Sequence, residues 1–153
     1  MVQMTIGGTK TTVKTNVLIA IRLEWAYQIL SGNKRWEYRR ISLKDGTGGR
    51  LLLYASGNMH AIVGEATIER IINEPVELLI EHTIKEVPET ADDLRKSFAG
   101  RTTGCAIKLK YPIKYNVPIT LQDIRNEIPG FMPPQGFYYV LDQDPLIGVI
   151  QKR

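Results

Sequence analysis

A chain of 153 residues, 43% hydrophobic and 24% charged, has the length of one domain, and such a domain withdraws about 68–70% of its unfolded surface from water, enough for a core without staples. The single cysteine, Cys105, excludes an internal disulfide and a cysteine-rich zinc site, and with only His60 and His82 besides the chain is poor in metal ligands, so no metal or other cofactor is expected. The net charge of +4 suits a polyanionic partner, because neutralised phosphates release counterions, without demanding one.

Residues 1–16 are polar and lack the apolar centre of a secretory signal, and the run 17–21 is broken by Arg22 and Glu24, so neither a membrane segment nor export is expected and the location is cytoplasmic. Residues 1–8 read as a frayed or edge-strand leader, since the pair Gly7 and Gly8 costs entropy inside a regular element. Residues 11–22, rich in Thr, Val and Ile, predict a strand. From 24 to 31 the apolar spacing turns helical, with Trp25 expected in helix–sheet packing rather than stacked on a base.

The densest stretch follows at 31–40. Gly32 suits the left-handed position that closes a helix. After it, strand alternation puts Arg35, Glu37 and Arg39 on one face and Trp36, Tyr38 and Arg40 on the other, with Lys34 leading in. Residues 44–49 hold three glycines and predict an exposed turn, not a phosphate loop, because a strand (50–54) and not a helix comes next. That strand ends at Tyr54 and Ser56, whose hydroxyl either bonds its own turn or borders a cleft.

Residues 61–72 alternate as a half-buried strand. Pro75 suits the first turn of a helix to about residue 84. Thr90 with Asp93 forms a cap opening a second helix that ends near Gly100. These two acidic helices read as an insertion beside a sheet, their charge a solvated face. Residues 103–110 predict a strand with Cys105 as a buried small hydrophobe, its Lys108 and Lys110 solvating an outer face or extending a basic one. Thr120 and Asp123 repeat the cap, 135–140 return as a strand, and 141–153 are expected as an edge strand or a contact with another protomer.

The spacing Gly32, Lys34, Glu37, Arg39 reads G-x-K-x-x-E-x-R and resembles the signature of the ASCH domain, within the PUA-like superfamily. Residues 17–30, 51–57 (LLLYASG) and 61–72 (AIVGEATIERII) are similar to the family's first strand and helix and its next two strands. Residues 104–109 (GCAIKL) and 133–139 (PPQGFYY) resemble the closing strands of a prokaryotic ASCH subgroup, so the likeness spans about residues 17–140 and points to a stand-alone prokaryotic ASCH protein. It implies a single α+β domain over 1–153: a PUA-like mixed β-barrel of about six strands with short helices at its mouth and side.

Two activities and one bland alternative are open. The resemblance implies an RNA or single-stranded nucleic-acid partner, or a modified nucleoside, with a regulatory role in transcription or translation. Its site would be a basic cleft using Lys34, Arg35, Arg39 and Arg40 for phosphates, Tyr54 and Tyr138 for stacking and Gln135 for a base edge, with Ser56 at its border. As an enzyme the chain would use Glu37 as general base with Lys34 or Arg39 on the phosphate of an RNA. Some ASCH-like proteins are amidohydrolases of acylated cytidine that place a threonine three residues after the motif lysine; here that position is Glu37, and a carboxylate held between cations attacks an amide poorly. The bland reading is that Glu37 only pins a structural ion network, in a module that contacts a protein partner of unknown identity.

Overall fold

The computed structural model describes the backbone of residues 2–6 and 9–152 and the side chains of 14–152. The leader and first strand expected over 1–22 divide at Lys14: β1 (Val2–Ile6) and β2 (Thr9–Val13) form a separate antiparallel pair, while β3 (Thr15–Ile21) enters the main sheet. The predicted glycine pair at 7 and 8 lies outside the described residues. All of β3 except Ala20 is buried, the mark of a strand covered on both faces.

The main sheet also contains β4 (Trp36–Arg39), β5 (Arg50–Ala55), β6 (Ala61–Pro75), β7 (Thr103–Thr120) and β8 (Phe137–Leu141). Its order is β4-β7-β6-β5-β3-β8. Only β3 and β5 pair in parallel; the remaining neighbours run antiparallel. The sheet is mixed, as expected, and with its short helices the fold is α+β, but the sheet is not closed: β4 and β8 are its two edges. The site lies between β4 and the end of β3.

Alternation along the strands divides the interior. Val17, Ile19, Ile21, Leu51 and Leu53 face one core with Cys105 and Ile107, whereas Leu18, Leu52, Tyr54 and Val140 face a second. Helix α1 (Leu23–Leu30) covers the first core through Ala26 and Ile29. It closes at Gly32, which has φ +86°, the conformation only glycine adopts without strain. Gly64 on β6 lets the helix approach: a Cβ there would lie 2.6 Å from Leu30 Cδ2 and 2.5 Å from the Ile113 carbonyl oxygen.

The strand predicted to end near residue 110 runs on to Thr120. Its two internal prolines are tolerated because the pairing with β6 skips where they fall, passing from Lys110 opposite Thr67 to Ile113 opposite Glu65, and from Lys114 opposite Gly64 to Ile119 opposite Ile62. The long β6 and β7 carry between them α2 (Val76–Thr83), a 3₁₀ turn (Ile84–Glu86) and α3 (Ala91–Ser97). Pro75 is the last residue of β6 and precedes the helix rather than opening it. Trp36, Leu79, Phe98 and Ala106 form a third core under these helices.

Both predicted capping boxes are present, Thr90 with Asp93 and Thr120 with Asp123, the latter opening α4 (Leu121–Glu127). Two loop expectations are corrected. The 44–49 turn is not simply exposed, since Leu43, Gly46 and Gly49 are buried and Gly49 packs on the Thr15 carbonyl. The C-terminal segment is no edge strand: Pro145–Gln151 is a helix, α5, capped by the Asp144 carboxylate accepting from the Leu146 N–H. Leu146, Ile147, Val149 and Ile150 are buried in the second core, an i, i+1, i+3, i+4 set that suits one helical face and not one face of a strand.

Candidate functional site

Lys34 follows Gly32 by two residues, and its backbone is held by an N–H donated to the Gln28 carbonyl, so the helix end aims the side chain inward. Its side chain is only 1% exposed. The ammonium lies 4.7 Å from the centroid of the Tyr38 ring and 5.3 Å from that of Trp25, and a cation withdrawn from water needs opposite charge as well. Glu89, 10% exposed, accepts a hydrogen bond from it, and Glu37 Oε1 is 3.7 Å away.

Glu37 in turn holds Arg39. Its Oε2 is 3.0 Å from Arg39 Nη2, which also donates to the Ala20 carbonyl on β3. One guanidinium thus reaches from edge strand β4 across to β3. The other two β4 side chains bond to the segment between β6 and β7: Trp36 donates its indole N–H to Glu86 at 3.0 Å, and the Tyr38 hydroxyl donates to Thr83 Oγ1 at 2.6 Å. Burial, above all, holds the Tyr38 phenol well above its ordinary range, and the negative charges of Glu89, Glu37 and Glu86 push the same way.

Lys34, Glu37, Tyr38, Arg39 and Glu89 line the floor of a cleft of about 490 Å³, a volume in the range of small-molecule sites. Arg22, Ser56 and Gln135 stand on its walls, and Trp25 lines it while also packing on the first core. Arg22, Tyr38 and Arg39 are shared with an adjoining hollow bounded by Arg40, Ile41 and Phe137. The Ser56 hydroxyl lies 3.4 Å from the Ile21 carbonyl, a long bond to the preceding strand's end. Among the described residues no group of three or more His, Cys, Asp or Glu is placed to hold a metal ion.

Of the residues expected at a site, Lys34, Glu37, Arg39, Ser56 and Gln135 meet in this cleft. Arg40 lies one hollow away, donating to the Ser97 and Ala99 carbonyls. Three positions are corrected. Tyr54 is 2% exposed within the second core and has no face free for a base. Tyr138 follows Phe137 on β8, and alternation turns it to the opposite side of the sheet from the cleft. Arg35 precedes β4, and its exposed side chain lines hollows on the other side of the motif.

The sequence reading missed Glu89, Trp25 and Arg22 as site residues. It also set the acidic insertion apart as a solvated face, yet that insertion delivers Glu89 to Lys34 and Glu86 to Trp36. The cleft floor is correspondingly less basic than expected, with two carboxylates against two cations. The positive surplus comes from Arg22 on the wall.

No family model matches the chain. It is 26% identical over 133 residues to the "ASCH domain-containing ribonuclease" of Zymomonas mobilis subsp. mobilis, an alignment covering 86% of this chain and 88% of that protein. The crystal structure of ASCH from Zymomonas mobilis superposes with a TM-score of 0.79 at 24% identity, covering 90% of this chain and 94% of the other. A mutant of the same protein gives 0.80 at 23% identity, with 90% and 95% covered. The N-terminal domain of Staphylothermus marinus McrB has a similar fold at greater distance, with a TM-score of 0.54 and 12% identity over 90% of this chain and 93% of that domain.

Proposed function

We propose that this chain is an ASCH protein that acts on RNA, binding single-stranded RNA with one nucleotide seated in the cleft between β4 and β3. The observation that carries this reading is the buried network of Lys34, Glu37, Arg39 and Glu89, which holds charged hydrogen-bonding groups rigidly at the floor of a space of nucleotide size. Arg22 and Arg39 supply positive charge to a phosphate. Gln135, exposed on the wall, brings both a donor and an acceptor to a base edge. A structural network alone would not require an open cleft above it.

A second reading, RNA cleavage in the same cleft, is favoured by the Glu37–Arg39 pair at 3.0 Å together with the ribonuclease name of the Zymomonas relative. A carboxylate and a guanidinium that close can serve one phosphodiester. Glu37 takes the 2′-hydroxyl proton, the 2′-oxygen attacks phosphorus, Arg39 stabilises the charge gathering on the phosphate oxygens, and the 5′-oxygen leaves with a proton from water. The products are a 2′,3′-cyclic phosphate and a 5′-hydroxyl. Deacylation of a modified cytidine is not favoured, because Glu37 stands where that chemistry requires a hydroxyl nucleophile.

Titration of the wild type and of Lys34→Ala and Glu37→Gln with short single-stranded RNA and DNA at low and moderate salt tests both readings. Binding that falls with salt and weakens in Lys34→Ala while that variant stays folded supports the site. Fragments ending in cyclic phosphate, lost in Glu37→Gln, support cleavage. A folded wild type that binds neither nucleic acid overturns the proposal.

A further inference from the structure

Behind the motif, where the bulge of β7 adjoins the end of α1, basic side chains lie against aromatic rings on a face that also holds Glu69. No aspartate or glutamate occurs from residue 103 to 122, while Lys108, Lys110 and Lys114 fall within that span. Lys108 is engaged by Glu69 and Glu86; Lys110 and Lys114 have no ion-pair partner among the described residues, and each lies against a ring instead. Lys110 Nζ is 5.2 Å from the Tyr111 centroid and Lys114 Nζ 4.8 Å from that of Tyr27 on α1.

Tyr111 is the unusual residue of this face. Its ring is 71% exposed and its φ is +53°, a left-handed conformation that a bulky side chain adopts only under constraint. The constraint is local: Tyr111 and Pro112 together oppose the single residue Ala66 between the pairs Lys110–Thr67 and Ile113–Glu65. Such a bulge redirects the side chain. Tyr111, Lys110 and Arg35 border a hollow of about 300 Å³ that also reaches the motif at Gly32 and Lys34.

Rings laid open beside unpaired ammonium groups suit a single-stranded polyanion whose bases are free to stack. We propose that this face is a second RNA-binding surface, on which bases flanking the nucleotide in the cleft stack on Tyr111 and Tyr27 while Lys110 and Lys114 contact their phosphates. The inference rests on the RNA-binding reading of the cleft and extends it to strands longer than the cleft holds.

The test is fluorescence anisotropy with labelled RNA of three and of twelve nucleotides, on the full chain, for wild type, Tyr111→Ala, Tyr111→Phe, Lys110→Gln/Lys114→Gln and Lys34→Ala. Tyr111→Ala is expected to weaken the twelve-mer about 5- to 100-fold, the range of one lost base stack, and to leave the three-mer unchanged. Tyr111→Phe keeps the ring and the affinity. The double glutamine variant lowers the salt dependence of twelve-mer binding by about one to one and a half units of log K against log salt. Equal twelve-mer affinity in Tyr111→Ala and wild type overturns this surface while leaving the cleft reading intact. Loss of three-mer binding in Lys34→Ala alone supports the cleft separately, and absence of binding to either RNA by the wild type overturns both.

Discussion

Lys34 and Glu89 meet as a buried ion pair although 55 residues separate them in the chain. The pair ties the end of α1 to the insertion between β6 and β7. Its cation is shared with Glu37 on edge strand β4, so three separate segments meet on one ammonium group.

Removing one member of such a network strands the others, at a cost of about 3–5 kcal/mol. Lys34→Ala is therefore expected to lower unfolding free energy by about that amount, and Glu89→Leu by a comparable one. The double variant Lys34→Ala/Glu89→Leu, which leaves fewer unpaired charges, should lose less than the sum. Urea denaturation of the cycle checks this, and strict additivity would show that the two residues do not interact.

Arg39 links β4 to β3 through the Ala20 carbonyl while pairing with Glu37. Arg39→Lys keeps the charge but cannot span both partners with one planar group. The expected cost is about 1.5–3 kcal/mol, that of a lost hydrogen bond to a charged group. Amide hydrogen exchange should rise first in β4, the edge strand released.

Gly64→Ala is expected to destabilise by at least about 1–3 kcal/mol, the range for overpacking, because the new methyl would meet both the Ile113 carbonyl and Leu30. Leu30→Ala in the same chain removes only the side-chain half of that clash. Thermal melts of the two single variants and the double should show partial rescue.

Alkaline pH gives a fourth expectation. Burial chiefly, with the negative charges nearby, raises the Tyr38 phenol; burial chiefly, with the hydrogen bond donated to Glu65, raises that of Tyr115. A raised phenol keeps its proton in the folded state while the unfolded chain loses its own near pH 10. The stabilisation is thus fully present below about pH 10 and declines as pH rises beyond it. Urea midpoints measured from pH 9 to 11.5 should fall across that window, more shallowly in Tyr38→Phe.

Much of the fold was legible from local chemistry. Alternation identified the strands around β4, β6 and the first part of β7, the Thr–Asp spacing marked both capping boxes, and Gly32 marked the end of α1. The misreadings share a cause. A strand was expected over 103–110, but it runs on to Thr120 because β6 skips pairing at the prolines that follow. The C-terminal segment, expected as an edge strand or a contact with another protomer, is a helix because the second core lies beneath it.

The site divides the same way. The sequence by itself determined that Lys34, Glu37 and Arg39 stand together at a helix-to-strand junction, because a turn closed by glycine and the two-residue strand period are local rules. Only the tertiary structure decided that Glu89 completes the network, that Tyr54 and Tyr138 face away from the cleft, and that the space between β4 and β3 stays open. Those outcomes depend on which strands become edges and which side of the sheet each helix covers, and they follow from the packing of segments far apart in the chain.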